Sequence, residues 1–256
     1  MARQGMSPLV VGLVIVGILA CSAFIYYQIV RGLEPTQTPD PVGETPPPPP
    51  PPPPPTQLPA IEVPPLDSSD EVIRSLAEGL SDHPQLARWL APDNLVRRLV
   101  AAVANIANDE TPRPHIGHLE PPGSFKVAES YGQLIIDPAS YARYDRLVEV
   151  FSSLDTAAGL RLYHSMKPLF DEAYEELGYP AGDFEPALLK AIDQVLAAPV
   201  PAGEIQVKKR VKNYRFADPA LERLSPAEKH LLRMGPANAR EVKKKLQFLR
   251  SALEPG

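Results

Sequence analysis

Hydrophobic and polar positions divide the chain into three stretches of different texture. From Leu9 to Val30 the run LVVGLVIVGILACSAFIYYQIV carries no charge, and only Ser22 and Gln28 in it are distinctly polar. A helix of this length spans about 33 Å against a hydrocarbon core of about 30 Å, so the run predicts a transmembrane helix over 9–30. Residues 31–66 show no hydrophobic period. From Asp67 onward apolar residues return at three- and four-residue spacing, the mark of amphipathic helices.

The third stretch predicts a series of helices. Ser68 and Glu71 form an S-x-x-E capping box ahead of Val72, Ile73, Leu76 and Leu80. A short helix follows from Pro84 through Leu86, Trp89 and Leu90, and a longer one after Pro92 carries Leu95, Leu99, Val103 and Ile106, with Arg97 and Arg98 on a solvated face. Thr111 to Gly123, TPRPHIGHLEPPG, is too proline-rich for regular structure. SFKVAES and QLIID around Tyr131 and Gly132 then predict a small β-hairpin, the single strand signal in the chain.

Helical spacing resumes at Asp137, an N-cap before Pro138, with Tyr141, Tyr144, Leu147, Val148, Phe151 and Leu154 as the apolar stripe. Asp155 caps the next helix, which Pro168 is expected to kink or divide. Phe184, Leu188, Ile192 and Val195 mark another, ended by Pro199 and Pro201. Asp218-Pro219 and Ser225-Pro226 start two more, Glu228 completing a capping box for the second and Gly235 stopping it. Val242, Leu246, Leu249 and Leu253 form the last stripe. The fold class is therefore mainly α, a multi-helix domain over 67–256 with one small hairpin.

Composition explains the middle stretch. Sixteen of the 33 prolines lie between positions 35 and 65, ten of them consecutive from Pro46 to Pro55. Ten prolines in polyproline II geometry form a rod of about 31 Å. Residues 31–66 therefore read as a proline-rich linker and spacer; proline runs also serve as ligands for SH3-like and WW-like grooves, a use that fits an extracytoplasmic stalk less well. Arg3 and the amino terminus precede the apolar run and Arg31 follows it, so 1–8 is expected in the cytoplasm. The remainder then lies outside, in the periplasm of a bacterium whose inner membrane holds the helix. GILAC, Gly17 to Cys21, offers a rival reading as a lipoprotein cleavage site with lipidation at Cys21. The apolar run continuing through AFIYYQIV argues against it.

Charge adds one feature. The net formal charge is -5, yet Lys208 to Arg250 holds thirteen Lys and Arg against four acids. Lys208, Lys209, Arg210, Lys212 and Arg215 interleave with Tyr214 and Phe216, and Lys243, Lys244 and Lys245 follow, a candidate surface for an anionic envelope polymer or an acidic protein. The competing reading lays this basic segment against the chain's own acidic surface. Nucleic acid is not an expected partner of a chain that is acidic overall.

Candidates for chemistry are few. His115, His118 and Glu120 are of types that suit zinc, but no third ligand stands at a familiar spacing, so no metal site and no cofactor is expected. The nucleophile-elbow, S-x-x-K, P-loop and dinucleotide glycine patterns are missing, so no catalytic residue is assigned. His83, His164 and His230 read as surface or boundary residues, and Asp145 in YARYDR as a surface ion-pair partner of its neighbouring arginines.

Four runs carry a resemblance: DPASYARYDRLVEVFSSLD, ELGYPAGDF, NYRFADP and LERLSPAEKHLLRMGPANAREVKKKL. Over Asp67 to Leu253 the chain resembles a bacterial family catalogued only as a domain of unknown function, number three thousand and fourteen. The resemblance implies a membrane helix, a proline-rich stalk and a helical domain, and no activity. The expected role is binding or scaffolding in the cell envelope; the alternative is an envelope hydrolase or transferase, which a cleft joining His115, His118 and Glu120 would favour.

Overall fold

A computed structural model describes residues 63–253. The apolar run Leu9 to Val30, Cys21 and nearly all of the proline-rich linker lie outside the described residues. No described helix is long and apolar enough to cross a membrane.

The described residues form a mainly helical domain with two small antiparallel hairpins. In chain order the helices are α1 (Asp70–Glu78), α2 (Leu86–Trp89), α3 (Leu95–Ala107), α4 (Arg113–Ile116), α5 (Pro138–Ala142), α6 (Asp145–Ser153), α7 (Thr156–Glu176), α8 (Phe184–Ala197), α9 (Pro219–Glu222), α10 (Pro226–Arg233) and α11 (Pro236–Leu253). Strands β1 (Val127–Ser130) and β2 (Gln133–Ile136) precede α5, and β3 (Val207–Lys209) and β4 (Tyr214–Phe216) follow α8.

Helix α3 is the central element, packed between α7 and α8, while α11 packs on α6 and α8. Its stripe of Leu99, Val103 and Ile106 is buried, and Val100 and Ala102 on the adjoining turn are fully enclosed because helices cover two of its faces. At about 1.5–3 kcal/mol for each large side chain removed from water, this stripe and those of α7, α8 and α11 dominate the fold's stabilisation. Rings fill the gap between α7 and α8: Phe170 stacks on Phe184 with centroids 5.6 Å apart, and Tyr163 lies 5.4 Å from Phe170.

Most predicted caps form. Asp137, Asp155 and Asp218 accept from backbone amides two residues on, and Ser225 with Glu228 closes a reciprocal capping box. The first predicted box does not. Ser68 lies in a single 3-10 turn, Leu66–Ser68, that buries Leu66, and α1 begins two residues later without a side-chain cap. Asp70 instead caps α3, accepting from Asn94 and Leu95 amides at 2.6 and 2.9 Å.

Three further expectations are corrected. Pro168 does not divide its helix, since it sits inside the continuous α7. The proline and the carbonyl-bearing residue four before it, His164, are both exposed, so water can take the hydrogen bond that proline cannot donate. The proline-rich 111–123 segment holds α4 and a 3-10 turn, Gly117–Leu119, because Pro114 falls in the first turn where its missing amide is harmless. The described residues hold four strands, since the basic segment closes into a second hairpin.

The two hairpins meet edge to edge. Ile136 donates its amide to the Ile205 carbonyl at 3.0 Å, and Ile135 bridges Gln206 in antiparallel sense. Ile136, Val207, Phe216 and Leu232 form a second, smaller core between the strands and α10. Ser140 ties the first hairpin to α5, its hydroxyl accepting from the Lys126 amide and donating to the Lys126 carbonyl.

Candidate anionic-ligand surface

The second hairpin explains why the basic segment alternates as it does. Val207 pairs with Phe216 across the strands and both point into the small core; Lys208 then pairs with Arg215 and both point out. By the two-residue period Lys208 and Arg215 share the face turned away from the small core, while Lys209, paired with Tyr214, lies on the same face as Val207 and Phe216 but at the exposed outer end of the ribbon. Lys208, Lys209, Arg210, Lys212 and Arg215 are all exposed. Arg210 reaches Glu222 at 3.8 Å; Lys208, Lys209, Lys212 and Arg215 make no ion pair among the described residues. Like charges directly opposite on a ladder destabilise it, so the Lys208–Arg215 pair is a local cost that burial of Val207 and Phe216 offsets.

Support for the ribbon comes from α9 and α10. Glu222 accepts from the Phe216 amide at 3.0 Å, and the Arg233 guanidinium lies over the Phe216 ring at 4.7 Å while donating to the Tyr214 carbonyl. Burial pushes the Arg233 guanidinium below its ordinary value, with Tyr144 and Glu222 acting against the shift.

The three lysines of α11 are used differently. Lys245 donates to the Ser152 and Leu154 carbonyls at 2.8 and 2.5 Å, closing the C-terminal end of α6, and its ammonium lies 5.6 Å from the Phe151 ring centroid. Lys243 donates to the Ala198 carbonyl at 2.5 Å, at the end of α8, and burial lowers its pKa. Lys244 alone of the three is exposed. Two of the eight residues of the candidate surface thus have their charges turned inward onto helix ends.

His115, His118 and Glu120 do not form a set. His118 and Glu120 line an open depression of about 430 Å³ together with Arg88, Trp89, Arg143 and Arg146, and His115 is not on it. Glu120 is held by Arg113 at 2.8 Å. Burial lowers the pKa of both histidines, with Arg98 pushing the same way. Arg143 donates to the Pro122 carbonyl; Asp145 pairs with neither arginine beside it and accepts instead from Asn238 at 2.8 Å.

His230 corrects the reading of it as a surface residue. It is 3% exposed and sits edge-on to Tyr144 at 5.3 Å, and neither ring nitrogen meets a hydrogen-bond partner among the described residues. Burial holds its imidazole well below the ordinary 6.5, helped by Arg233 and Arg143, and the Tyr144 hydroxyl is pushed up to about 12 by its own burial. A signal for this was present: Ala227, His230, Leu231 and Met234 fall at i, i+3, i+4 and i+7, which places His230 on the buried stripe of α10.

Two of the runs quoted for the resemblance meet in space. Asn238 donates to the Tyr141 carbonyl at 3.3 Å, a β-carbon on Gly235 would meet the Tyr141 ring, and His230 faces Tyr144, so YARYDR and HLLRMGPAN form one joint. Fold and surface together define a helical domain that displays a cationic β-ribbon. A family model described as "Protein of unknown function (DUF3014)" matches residues 95–250, and the chain belongs to that family. The match begins with α3, leaving α1 and α2 outside the family model. No curated protein and no solved structure matches the chain.

Proposed function

We propose that this protein is a single-pass membrane protein, cytoplasmic at its N-terminus, that presents its helical domain on a proline-rich stalk in the bacterial envelope and binds an anionic envelope component there. The observation that carries the reading is the set of exposed cations Lys208, Lys209, Lys212 and Arg215, which have no ion-pair partner among the described residues. The uncharged run Leu9 to Val30 and the ten prolines supply the anchor and the spacer. The hydrolase or transferase alternative asks for convergence of His115, His118 and Glu120, and the depression near them is rimmed by guanidinium groups with Glu120 already engaged.

The test is retention of the full chain, in detergent, on immobilised polyglutamate as salt is raised. Attraction between exposed charges is screened over about 8 Å at physiological salt, so retention should fall steeply. Replacing Lys208, Lys209, Lys212 and Arg215 with Glu should abolish it while unfolding stays cooperative. Retention that ignores salt, or that survives the four replacements, contradicts the reading.

A further inference from the structure

We infer that the two hairpin tips dock together on the anionic lipid surface of the membrane that holds the chain's own anchor. The inference rests on the anchored, anion-binding reading above and names the component bound.

Topology puts the tips side by side. β2 leads away from the turn at Tyr131 and Gly132, and β3 leads toward the connection 210–213; β2 and β3 run antiparallel through the Ile135–Gln206 bridge, so both turns lie at the same end of the sheet. Each tip displays one apolar residue. Tyr131 and Val211 are fully exposed, at 103% and 99%, whereas the other exposed large hydrophobic residues, Leu177 and Phe248, are about half covered. Around them stand Lys208, Lys209, Arg210, Lys212 and Arg215, with Glu129 the acid on the neighbouring strand β1.

Tyr131 occupies its turn against preference. Its φ is 49° and that of Gly132 is 74°, the paired positive values of a two-residue hairpin turn, where asparagine, aspartate or glycine is the unstrained choice at the first position. An aromatic ring held there, outside any core, has its use beyond the domain.

Apolar tips distinguish lipid from a soluble polyanion. A polymer of acidic groups would engage the cations and leave Tyr131 and Val211 in water. A membrane surface serves both, because anionic headgroups attract the cations and the interfacial layer favours tyrosine rings. The same-membrane choice follows from the tether. The linker expected from the sequence over 31–66, whose ten consecutive prolines would span about 31 Å in polyproline II geometry, would tether the domain to its own bilayer and hold it at high effective concentration above it.

The experiment places a probe at the tip. Full-length protein carrying Tyr131→Trp is reconstituted into phosphatidylcholine vesicles with and without phosphatidylglycerol, with the parent protein supplying the background of buried Trp89. With anionic lipid the emission of the new tryptophan should shift to the blue, become quenchable by spin-labelled lipid, and revert in high salt. Replacing Lys208, Lys209, Lys212 and Arg215 with Gln should remove the shift, since each cation near an anionic surface is worth about fivefold in partitioning. Four exposed replacements leave the fold intact, which near-ultraviolet circular dichroism checks. Emission at the solvent-exposed wavelength in both vesicle types overturns the inference, as does a response to soluble polyglutamate in detergent with none to anionic vesicles. Clustering of vesicles, the sign of docking on a facing membrane, overturns it too. Resistance to alkaline carbonate extraction reports the Leu9–Val30 anchor separately, so a failed anchor and a failed docking give different results.

Discussion

Replacing Gly235 with alanine attacks the joint at which YARYDR and HLLRMGPAN meet. Gly235 links α10 to α11 with φ at +84°, a left-handed conformation that disfavours a β-carbon by about 1–2 kcal/mol. An added Cβ would stand 2.6, 2.8 and 2.9 Å from Cγ, Cβ and Cδ1 of Tyr141. These atoms lie at the root of the side chain, so rotation of the ring cannot clear them, and α5 or α11 must shift. Forced overpacking of this kind costs about 1–3 kcal/mol, giving a total of about 2–5 kcal/mol against a domain stability of about 5–15 kcal/mol. For a domain of this length that is roughly 5–15 °C in Tm. Gly182→Ala is the control, because φ there is +76° yet nothing lies within 4 Å of the new methyl group. It should lose only the backbone part, about 1–2 kcal/mol. The assay is denaturant unfolding of the full chain followed by Trp89 fluorescence. Equal destabilisation of the two variants would refute the steric argument and with it the close approach of Tyr141.

Other outcomes follow from the same geometry. His230 refuses a proton when folded and accepts one near 6.5 when unfolded, so the unfolded state binds more protons as pH falls below about 6.5 and stability drops by up to about 1.4 kcal/mol per pH unit. His230→Phe should flatten that slope in unfolding measurements below neutral pH, and an unchanged slope would mean that the ring titrates freely. Lys245→Met removes the ammonium beside the Phe151 ring together with its bonds to the Ser152 and Leu154 carbonyls, and should cost about 1–3 kcal/mol in denaturant unfolding without altering retention on polyglutamate. For the proposed topology, a reporter active only outside the cytoplasm and fused after Ala60 should be active, and activity of a cytoplasmic reporter at that point instead would reverse the orientation.

The helices that pack on two sides were legible in the sequence because their apolar positions hold a strict spacing. α8 and α11 carry their predicted stripes into the core without a slip, and α3 does so for Leu99, Val103 and Ile106, with Leu95 partly buried at its start. The second hairpin was not legible, since its strands are three residues long and only Val207 and Phe216 mark the inward face. Its cations dominated the pattern, and the pairing that separates them from the core is a tertiary property. The cap of α3 was hidden for a similar reason: Asp70 lies more than twenty residues before the amides it accepts from, and no local motif links them. Within the candidate surface, sequence spacing gave the eight cations, but only packing divides Lys243 and Lys245, bonded to helix-end carbonyls, from the hairpin residues that face solvent. The depression near Glu120 draws Arg88, Arg143 and Arg146 from two separate helical segments, a convergence that no spacing encodes.

The central claim is that the hairpin cations are a surface occupied in the envelope while the α11 lysines serve the fold. Amine acetylation read by mass spectrometry, on native membranes opened to the reagent and on the same protein purified in detergent, tests it without knowledge of the ligand. The account predicts that Lys208, Lys209 and Lys212 react fast in detergent and are protected in native membranes, the protection vanishing at high salt. Lys243 and Lys245 should react slowly in both. Hairpin lysines that react equally fast in both preparations would contradict the claim.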